Sequence, residues 1–136
     1  MDHGHQRGLK IIRNSDGNIW PILHDFVDVG FGACHPVQPQ CMSITEVKRQ
    51  VGDRICLIGN IVCHQLLCFD LEENVEKNVK ETIEKAASRG GSIISSGNSI
   101  HPGVKPENYL ALVRAAYKYG DYRRDTPVSV PLSLSY

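Results

Sequence analysis

The segment from residue 90 to residue 108 constrains the fold of this chain more than any other. A short apolar run, Ile93-Ile94, is followed by small polar residues at 95–99 and by a Pro/Gly loop that contains His101. A helix is predicted to begin at Pro106, because proline suits the first helical turn. The order is a buried strand, a polar carboxyl end, a loop and a helix. In parallel α/β folds, ligands bind at the carboxyl ends of such strands.

The same order of features occurs three more times in the chain. Short apolar runs predict strands, and each is followed by a polar segment and an apolar pattern with helical spacing. The predicted strands are residues 9–12, 31–35, 54–58 and 93–94. The predicted helices start after the capping residues Asn18, Ser43 and Asp70, and at Pro106. We therefore expect an α/β fold of four consecutive βα units.

Three of the helices carry more detailed predictions. Ser43 and Glu46 match the S-x-x-E pattern of a capping box, in which two side chains satisfy helix amides reciprocally. Residues 71–88 carry one apolar stripe, made of Leu71, Val75, Val79, Ile83 and Ala86. Residues 106–119 are predicted to bury the apolar face made of Tyr109, Leu110, Val113, Ala116 and Tyr117.

Strands that alternate with helices predict a parallel sheet with right-handed crossovers. Four strands form either an open sheet or half of an eight-stranded (β/α)8 TIM barrel, which takes about 250 residues in full. We divide the 136 residues into a flexible segment or helix tail (1–8), one domain (9–120) and an irregular tail (121–136).

Composition excludes several classes of function. The formal net charge is zero, which predicts no general attraction to nucleic acid or to an anionic membrane. No apolar run approaches the roughly 20 residues that span a bilayer, and no signal peptide is recognisable, so we expect a cytoplasmic protein. The five cysteines are odd in number and lack C-x-x-C pairs, which favours reduced thiols. No glycine-rich nucleotide-binding pattern occurs.

A series of short motifs resembles the C-terminal half of the uroporphyrinogen decarboxylase superfamily, which includes corrinoid-linked methyltransferases. The motifs occur in order along the chain and none is specific alone. They are Ser15-Asp16-Gly17-Asn18, Trp20-Pro21, His35-Pro36-Val37-Gln38-Pro39, Glu46-Val47-Lys48, Gly52-Asp53-Arg54, Gly59-Asn60-Ile61, the run 95–102 and Pro106-Glu107-Asn108. The resemblance implies a (β/α)8 barrel of which this chain supplies strands five to eight.

The resemblance also implies that some of the family's chemistry is absent. Methyltransferases of the superfamily bind zinc through residues that correspond here to Asn14, Asp16 and Asn98, and asparagine is a poor zinc ligand. The decarboxylases (lyases) carry Gly-His-Gly after the eighth strand, where this chain has Gly97-Asn98-Ser99. Their arginines and catalytic aspartate belong to the N-terminal half. We therefore expect no metal and no cofactor.

Polar residues that follow the predicted strands are the candidates for a site. Asp16 and His35 are the candidate catalytic residues, since a carboxylate can orient a substrate and histidine titrates near neutrality. A turn residue and a structural histidine are the alternatives. The candidate binding residues, whose side chains donate or accept hydrogen bonds, are Asn14, Gln38, Gln40, Asn60, Ser96, Asn98 and His101.

The adjacent pair Cys63-His64 suggests a metal or nucleophile site. Adjacent residues of an extended segment point to opposite sides, which disfavours a shared ligand role. The role of the pair is left open at this point.

A half barrel exposes two strand edges and an apolar inner face, which favours association. We expect a homodimer that completes eight strands, or a separate N-terminal half, and no membrane or nucleic-acid partner. Two functions follow from the resemblance. The first is an enzyme that acts on a tetrapyrrole or on a methylated small molecule. The second is a non-catalytic scaffold, assembly subunit or fragment that has lost the family's chemistry.

Overall fold

The structure, a computed structural model, describes residues 2–87 and 90–121. Most of the predicted tail therefore lies outside the described residues. Where the sequence left open a flexible start or a helix tail, a short helix is present. The elements are α1 (Asp2–Gln6), β1 (Ile12–Asn14), a 3₁₀ turn (Trp20–Ile22), α2 (Leu23–Asp28), β2 (Ala33–Val37), α3 (Ile44–Val51), β3 (Cys56–Ile61), a π-helical turn (Cys63–Leu67), α4 (Glu72–Ala86), β4 (Ser92–Ser96) and α5 (Pro106–Gly120).

The four strands form one parallel sheet in the order β1-β2-β3-β4. Each strand is connected to the next by a helix, which confirms the predicted α/β arrangement of four βα units. All four carboxyl ends consequently meet at one edge of the sheet. Within the described residues, no helix is long and apolar enough to cross a membrane.

The first strand begins three residues later than the sequence predicted. The amide of Leu9 donates to Gly4 O at 3.0 Å, so the backbone at this point is bonded to α1 instead of to a strand. Pairing with β2 starts only at Ile12, whose partner is Ala33. The predicted strand at 9–12 was therefore wrong in its bounds, because a run of apolar residues does not show at which residue hydrogen bonding to the next strand begins.

Helices α2 to α5 pack on one face of the sheet and form two cores. In the first, α2 and α3 cover β2 through buried residues that include Leu23, Val47 and Cys34. In the second, α4 and α5 cover the end of β3 through residues that include Val75, Leu112 and Ile61. Burial of such apolar side chains is the main stabilising term of the fold.

The opposite face of the sheet carries an apolar row. Ile12 pairs with Ala33, Ala33 with Cys56, and Ile58 with Ile93, and paired residues of parallel strands point to the same side. Cys56 and Ile58 share this side because they are two residues apart. The residues at the two ends of the row are exposed, Ile12 by 55% and Ile93 by 53%, whereas Ala33 and Ile58 between them are buried. We call this row of five residues the open face.

The predicted capping box at the start of α3 is wrong. Ser43 occupies the N-cap position, but its side chain makes no capping hydrogen bond. Glu46 is instead bonded to Arg49 and Gln50, one turn further along the same helix. Side chains three and four residues apart on a helix are neighbours, and these partners compete with the distant N-cap amide.

The predicted apolar face of α5 is wrong for three of its five residues, since Val113 and Ala116 are half-buried against the core. The helix buries Asn108, Ala111, Leu112 and Ala115 against α4 and β3. Three residues of the predicted face are exposed, namely Tyr109, Leu110 and Tyr117. The small residues Ala111 and Ala115 allow close approach of α5 to α4. In α4 the predicted stripe is buried except for Leu71, which lies at the N-cap and is 62% exposed.

Candidate functional site

A cavity of about 270 Å³ lies where the carboxyl ends of β2, β3 and β4 meet. This is the edge at which parallel α/β folds bind ligands. The cavity collects residues from the loop after β2, the π-helical turn after β3 and the loop after β4. They are Gln38, Pro39, Gln40, Cys63, His64, Gly97, Asn98 and His101.

Hydrogen bonds between neighbouring loops hold the wall of the cavity. Gln38 Oε1 accepts from the amide of Gly17 at 2.8 Å, which ties the loop after β2 to the loop after β1. The amide of Gly97 donates to Ile61 O at 2.6 Å, which joins the end of β4 to the end of β3. Gln38 therefore braces the loops as well as lining the cavity.

Gly97 lies where there is little room for a side chain. A Cβ at this position would lie 3.2 Å from Ile61 O and 3.3 Å from Pro39 Cδ. Both contacts are tighter than ordinary van der Waals separation, and one of them involves backbone. Glycine thus allows the end of β4 to approach β3 and Pro39 and keeps the cavity open.

Asn60 ties the end of β3 to the end of β2. It is buried, and its backbone has a positive φ of 80°, which is uncommon for a residue other than glycine. Its Nδ2 donates to Val37 O at 2.7 Å. The side chain is thus used for structure, although the sequence placed it among the binding residues.

Asn98 and Ser96 are tied into the loop after β4. Asn98 Oδ1 accepts from the amide of Ser99 at 2.7 Å, and Ser96 Oγ donates to Asn98 O at 2.6 Å. With its oxygen engaged, Asn98 offers its Nδ2 as a donor to a ligand. Ser96 lies instead in the groove between β4 and α5.

The cavity brings together Gln38, Gln40, Asn98 and His101 from the sequence prediction. Asn14 and His35 are paired across β1 and β2 and do not line it. Asp16 is exposed on the loop after β1 and does not line it either. The two candidate catalytic residues are therefore outside the cavity, because Asp16 follows the edge strand β1 and His35 lies within β2, before the loop that lines the cavity.

His64 and Cys68 are site residues that the sequence analysis did not use as a pair. Residues 63–67 form a π-helical turn, so the extended segment assumed for Cys63-His64 was wrong. On a helical turn, residues four apart lie on one face, and His64 and Cys68 are spaced in this way. The H-x-x-x-C pattern was the available signal.

Burial raises the pKa of two thiols, one that lines the cavity and one in the core beneath α2 and α3. Burial raises the pKa of Cys63 above its usual value, and the neighbouring Cys68 raises it further. Burial raises the pKa of Cys34 to about 11, against a smaller lowering effect of Arg13. Thiolates are the nucleophilic form of cysteine, so the raised pKa makes both residues poorer nucleophiles at neutral pH.

The chain matches the family model described as Uroporphyrinogen decarboxylase (URO-D) over residues 1–119. The chain belongs to the uroporphyrinogen decarboxylase family. The match includes all four strands and every residue that lines the cavity, which confirms the resemblance inferred from the motifs.

Individual relatives agree with this assignment. The uroporphyrinogen decarboxylase of Thioalkalivibrio sulfidiphilus is 33% identical over 79 residues, which are 58% of this chain and 22% of that protein. The enzyme of Methylococcus capsulatus is 25% identical over 116 residues, which are 85% of this chain and 31% of that protein. The chain thus spans about a third or less of the length of these relatives.

The fold of this chain is also similar to that of a solved structure. A methyltransferase from Methanosarcina mazei superposes on 88% of this chain with a TM-score of 0.74 and 25% sequence identity. The superposed region is 34% of that methyltransferase. The uroporphyrinogen decarboxylase-family chain therefore shares its strand and helix arrangement with one segment of a larger protein.

Proposed function

We propose that this chain forms one side of a uroporphyrinogen decarboxylase-type (β/α)8 barrel. A second copy of the chain completes the barrel, and the cavity becomes part of a larger pocket for a polar small molecule. The observation that carries the proposal is the combination of an open face and a cavity at the carboxyl edge of the same incomplete sheet.

The edges of the sheet support completion by another chain. Within the described residues, β1 pairs only with β2, and β4 pairs only with β3. Unpaired edges and exposed apolar residues such as Ile12 and Ile93 favour association. Two four-stranded parallel sheets related by a twofold axis bring β4 of each copy beside β1 of the other, and closure removes all edges.

The exposed side of α5 supports the same arrangement. Tyr109, Val113 and Tyr117 line a groove with Ile94 and Ile100, between β4 and α5. In a closed barrel, the next strand lies beside β4 and its neighbouring helix lies beside α5. Covering of the exposed part of this face by the second copy is part of the proposal, and the exposure of Tyr109 and Tyr117 supports it.

The size and chemistry of the cavity support part of a larger pocket. Its volume of about 270 Å³ is slightly below the range of about 300–1,000 Å³ that is usual for ligand pockets. Amides and imidazoles line it, and these groups donate and accept hydrogen bonds. Because the relatives from Thioalkalivibrio sulfidiphilus and Methylococcus capsulatus are uroporphyrinogen decarboxylases, a porphyrinogen bearing carboxylate groups is the ligand class that we propose.

Ligand binding is tested with uroporphyrin, monitored by the quenching of its fluorescence. We expect Gln40→Ala, which removes an amide from the cavity, to weaken binding at least about fivefold, as for the loss of one hydrogen bond. Gln65→Ala is the matched control, because Gln65 is exposed on the π-helical turn and does not line the cavity. Equal affinity of the two variants, or no binding by the original protein, would contradict the proposal.

A methyltransferase function is the second candidate, because the solved structure with a TM-score of 0.74 is a methyltransferase. A corrinoid takes the place of uroporphyrin in this case. Titration with hydroxocobalamin, followed by its visible spectrum, distinguishes the two. If neither ligand binds, the non-catalytic scaffold remains, in agreement with the position of Asp16 and His35 outside the cavity.

A further inference from the structure

We propose that His64, Cys68 and His101 form a binding site for a transition-metal ion, with Zn²⁺ the best match. Their three ligand atoms all lie within 4.8 Å of one another. Nothing in this proposal rests on the proposed porphyrinogen ligand, since the site is defined by its own side chains.

The three residues come from two segments that are tied together. His64 and Cys68 are on the turn after β3, and His101 is on the loop after β4. The amide of Lys105 donates to Leu67 O at 3.1 Å, which connects the loop to the turn. Asn108 Nδ2 lies 3.2 Å from the same carbonyl and 2.9 Å from Asp70 O. The backbone that carries the ligands is therefore held in place before a metal binds.

The distances suit a tetrahedral ion. Zn–S bonds of about 2.3 Å and Zn–N bonds of about 2.0–2.1 Å place sulfur and nitrogen about 3.6 Å apart in a tetrahedron. Cys68 Sγ lies 3.7 Å from His101 Nε2, so the distance between these two ligand atoms already matches the tetrahedron. The imidazole rings of His64 and His101 lie 6.3 Å apart between centroids. Both histidines are exposed, and His64 can rotate toward the other two ligands.

The donor set selects the class of ion. Thiolate and imidazole favour zinc and copper over magnesium and calcium, which prefer oxygen ligands. The sulfur is buried and the two imidazoles are exposed, so the fourth position of a tetrahedron faces outward. Three protein ligands with one open position are typical of zinc sites that hold a water or a substrate.

Binding requires proton changes that the arrangement permits. In the metal-free protein, the Cys68 thiol lies 3.5 Å from Cys63 O and can donate to it. On binding, Cys68 gives up its proton to solvent and coordinates as the thiolate. His101 Nδ1 now accepts from the amide of Gly103 at 3.1 Å. Coordination through Nε2 requires the ring proton to lie on Nδ1. The exposed amide of Gly103 then loses its acceptor and forms a hydrogen bond to water instead.

Cys63 is adjacent but has a different role. Its Sγ lies 3.6 Å from Ser99 O and donates to that carbonyl, and it does not belong to the group of three. It therefore provides a matched control, being a buried thiol beside the proposed site. His24, an exposed histidine on α2, is the corresponding control for the imidazoles.

The test is titration of the metal-free protein with Co²⁺ and then with Zn²⁺. We expect one Co²⁺ per chain with a sulfur-to-cobalt charge-transfer band, displacement by Zn²⁺, and protection of one thiol from a thiol reagent. Cys68→Ser is expected to abolish the band. Loss of either histidine weakens binding by more than the 10–100-fold that is typical of changes around the ligands. Cys63→Ser and His24→Gln are expected to bind as the original protein does.

Several results would overturn the proposal. The original protein showing no charge-transfer band is sufficient, and this result does not depend on the folding of any variant. Equal loss in Cys63→Ser and Cys68→Ser, with circular dichroism showing both folded, would indicate adventitious binding to thiols. A His3→Gln, His5→Gln double variant that loses the metal would place the ion at the N-terminus instead.

Discussion

Among single residues, Asn60 combines a strained backbone conformation with a buried hydrogen bond. It has a positive φ, and its Nδ2 donates to Val37 O at 2.7 Å. A left-handed conformation costs about 1–2 kcal/mol for a residue with a Cβ. The hydrogen bond offsets this cost and fixes β3 to the end of β2.

We predict that Asn60→Ala lowers the free energy of unfolding by about 2–4 kcal/mol, because it keeps the strain and leaves a buried carbonyl without its donor. Urea denaturation measures the change. Asn60→Gly is the matched control and is expected to lose about 1 kcal/mol less, since glycine adopts the backbone conformation without strain. Equal stability of the two variants would mean that strain at this position is unimportant.

Gly97 is the second residue whose replacement is informative. Gly97→Ala places a Cβ within 3.3 Å of both Ile61 O and Pro39 Cδ, and we predict a loss of about 1–2 kcal/mol. Gly120→Ala at the end of α5 meets no atom within 4 Å and is expected to change stability by less than about 0.5 kcal/mol. Thermal unfolding of the two variants gives the comparison, and similar losses would refute the close approach at residue 97.

At the scale of elements, the strongest periodic pattern was predicted best. The helix predicted at 71–88 is α4, Glu72–Ala86, because a long apolar stripe leaves few alternatives. The ends of α5 were also predicted closely, but its buried face was not. A single sequence shows that a face is apolar and does not show whether this chain or another protein covers it.

The ionised side chain of Glu46 on α3 leads to a prediction about how stability depends on pH. Hydrogen bonds from Arg49 and Gln50 lower the pKa of Glu46 from its ordinary 4.5 to about 2. A lowered pKa in the folded state contributes stability above pH 4.5, and this contribution is lost as the pH falls toward 2. We predict that Glu46→Gln lowers the melting temperature at pH 7 and that the difference from the original protein disappears near pH 2.

The side chains of Glu46 and Arg49 are exposed, so salt screens the contribution of their ion pair to stability. Repeating the pH 7 comparison in concentrated sodium chloride is expected to reduce the difference. A difference that stays constant from pH 7 to pH 2 would show that the glutamate acts by packing and not by its charge.

Part of the candidate site could be predicted from the sequence because parallel strands share a carboxyl edge. This rule identifies Gln38, Gln40, Asn98 and His101, which line the cavity. It fails for Asp16 and His35, because the rule does not show how far each residue lies from the cavity along the edge of the sheet. His64 and Cys68 were missed for a different reason, because the segment that carries them was taken as extended whereas it forms a helical turn.

At the scale of the whole molecule, the open face is the feature that needs another protein. Ile93 is 53% exposed on β4, and Val29, which follows α2, is 52% exposed. We predict that Ile93→Lys prevents association, because it places a charge inside the completed barrel. Val29→Lys is the matched control and is expected to leave association unchanged.

The most direct test is the mass of the purified chain at micromolar concentration, measured by size-exclusion chromatography with light scattering. We expect twice the chain mass of 15.1 kDa for the original protein and for Val29→Lys, and the single chain mass for Ile93→Lys. A well-folded original protein with the mass of one chain at every concentration would contradict the barrel completed by a second copy.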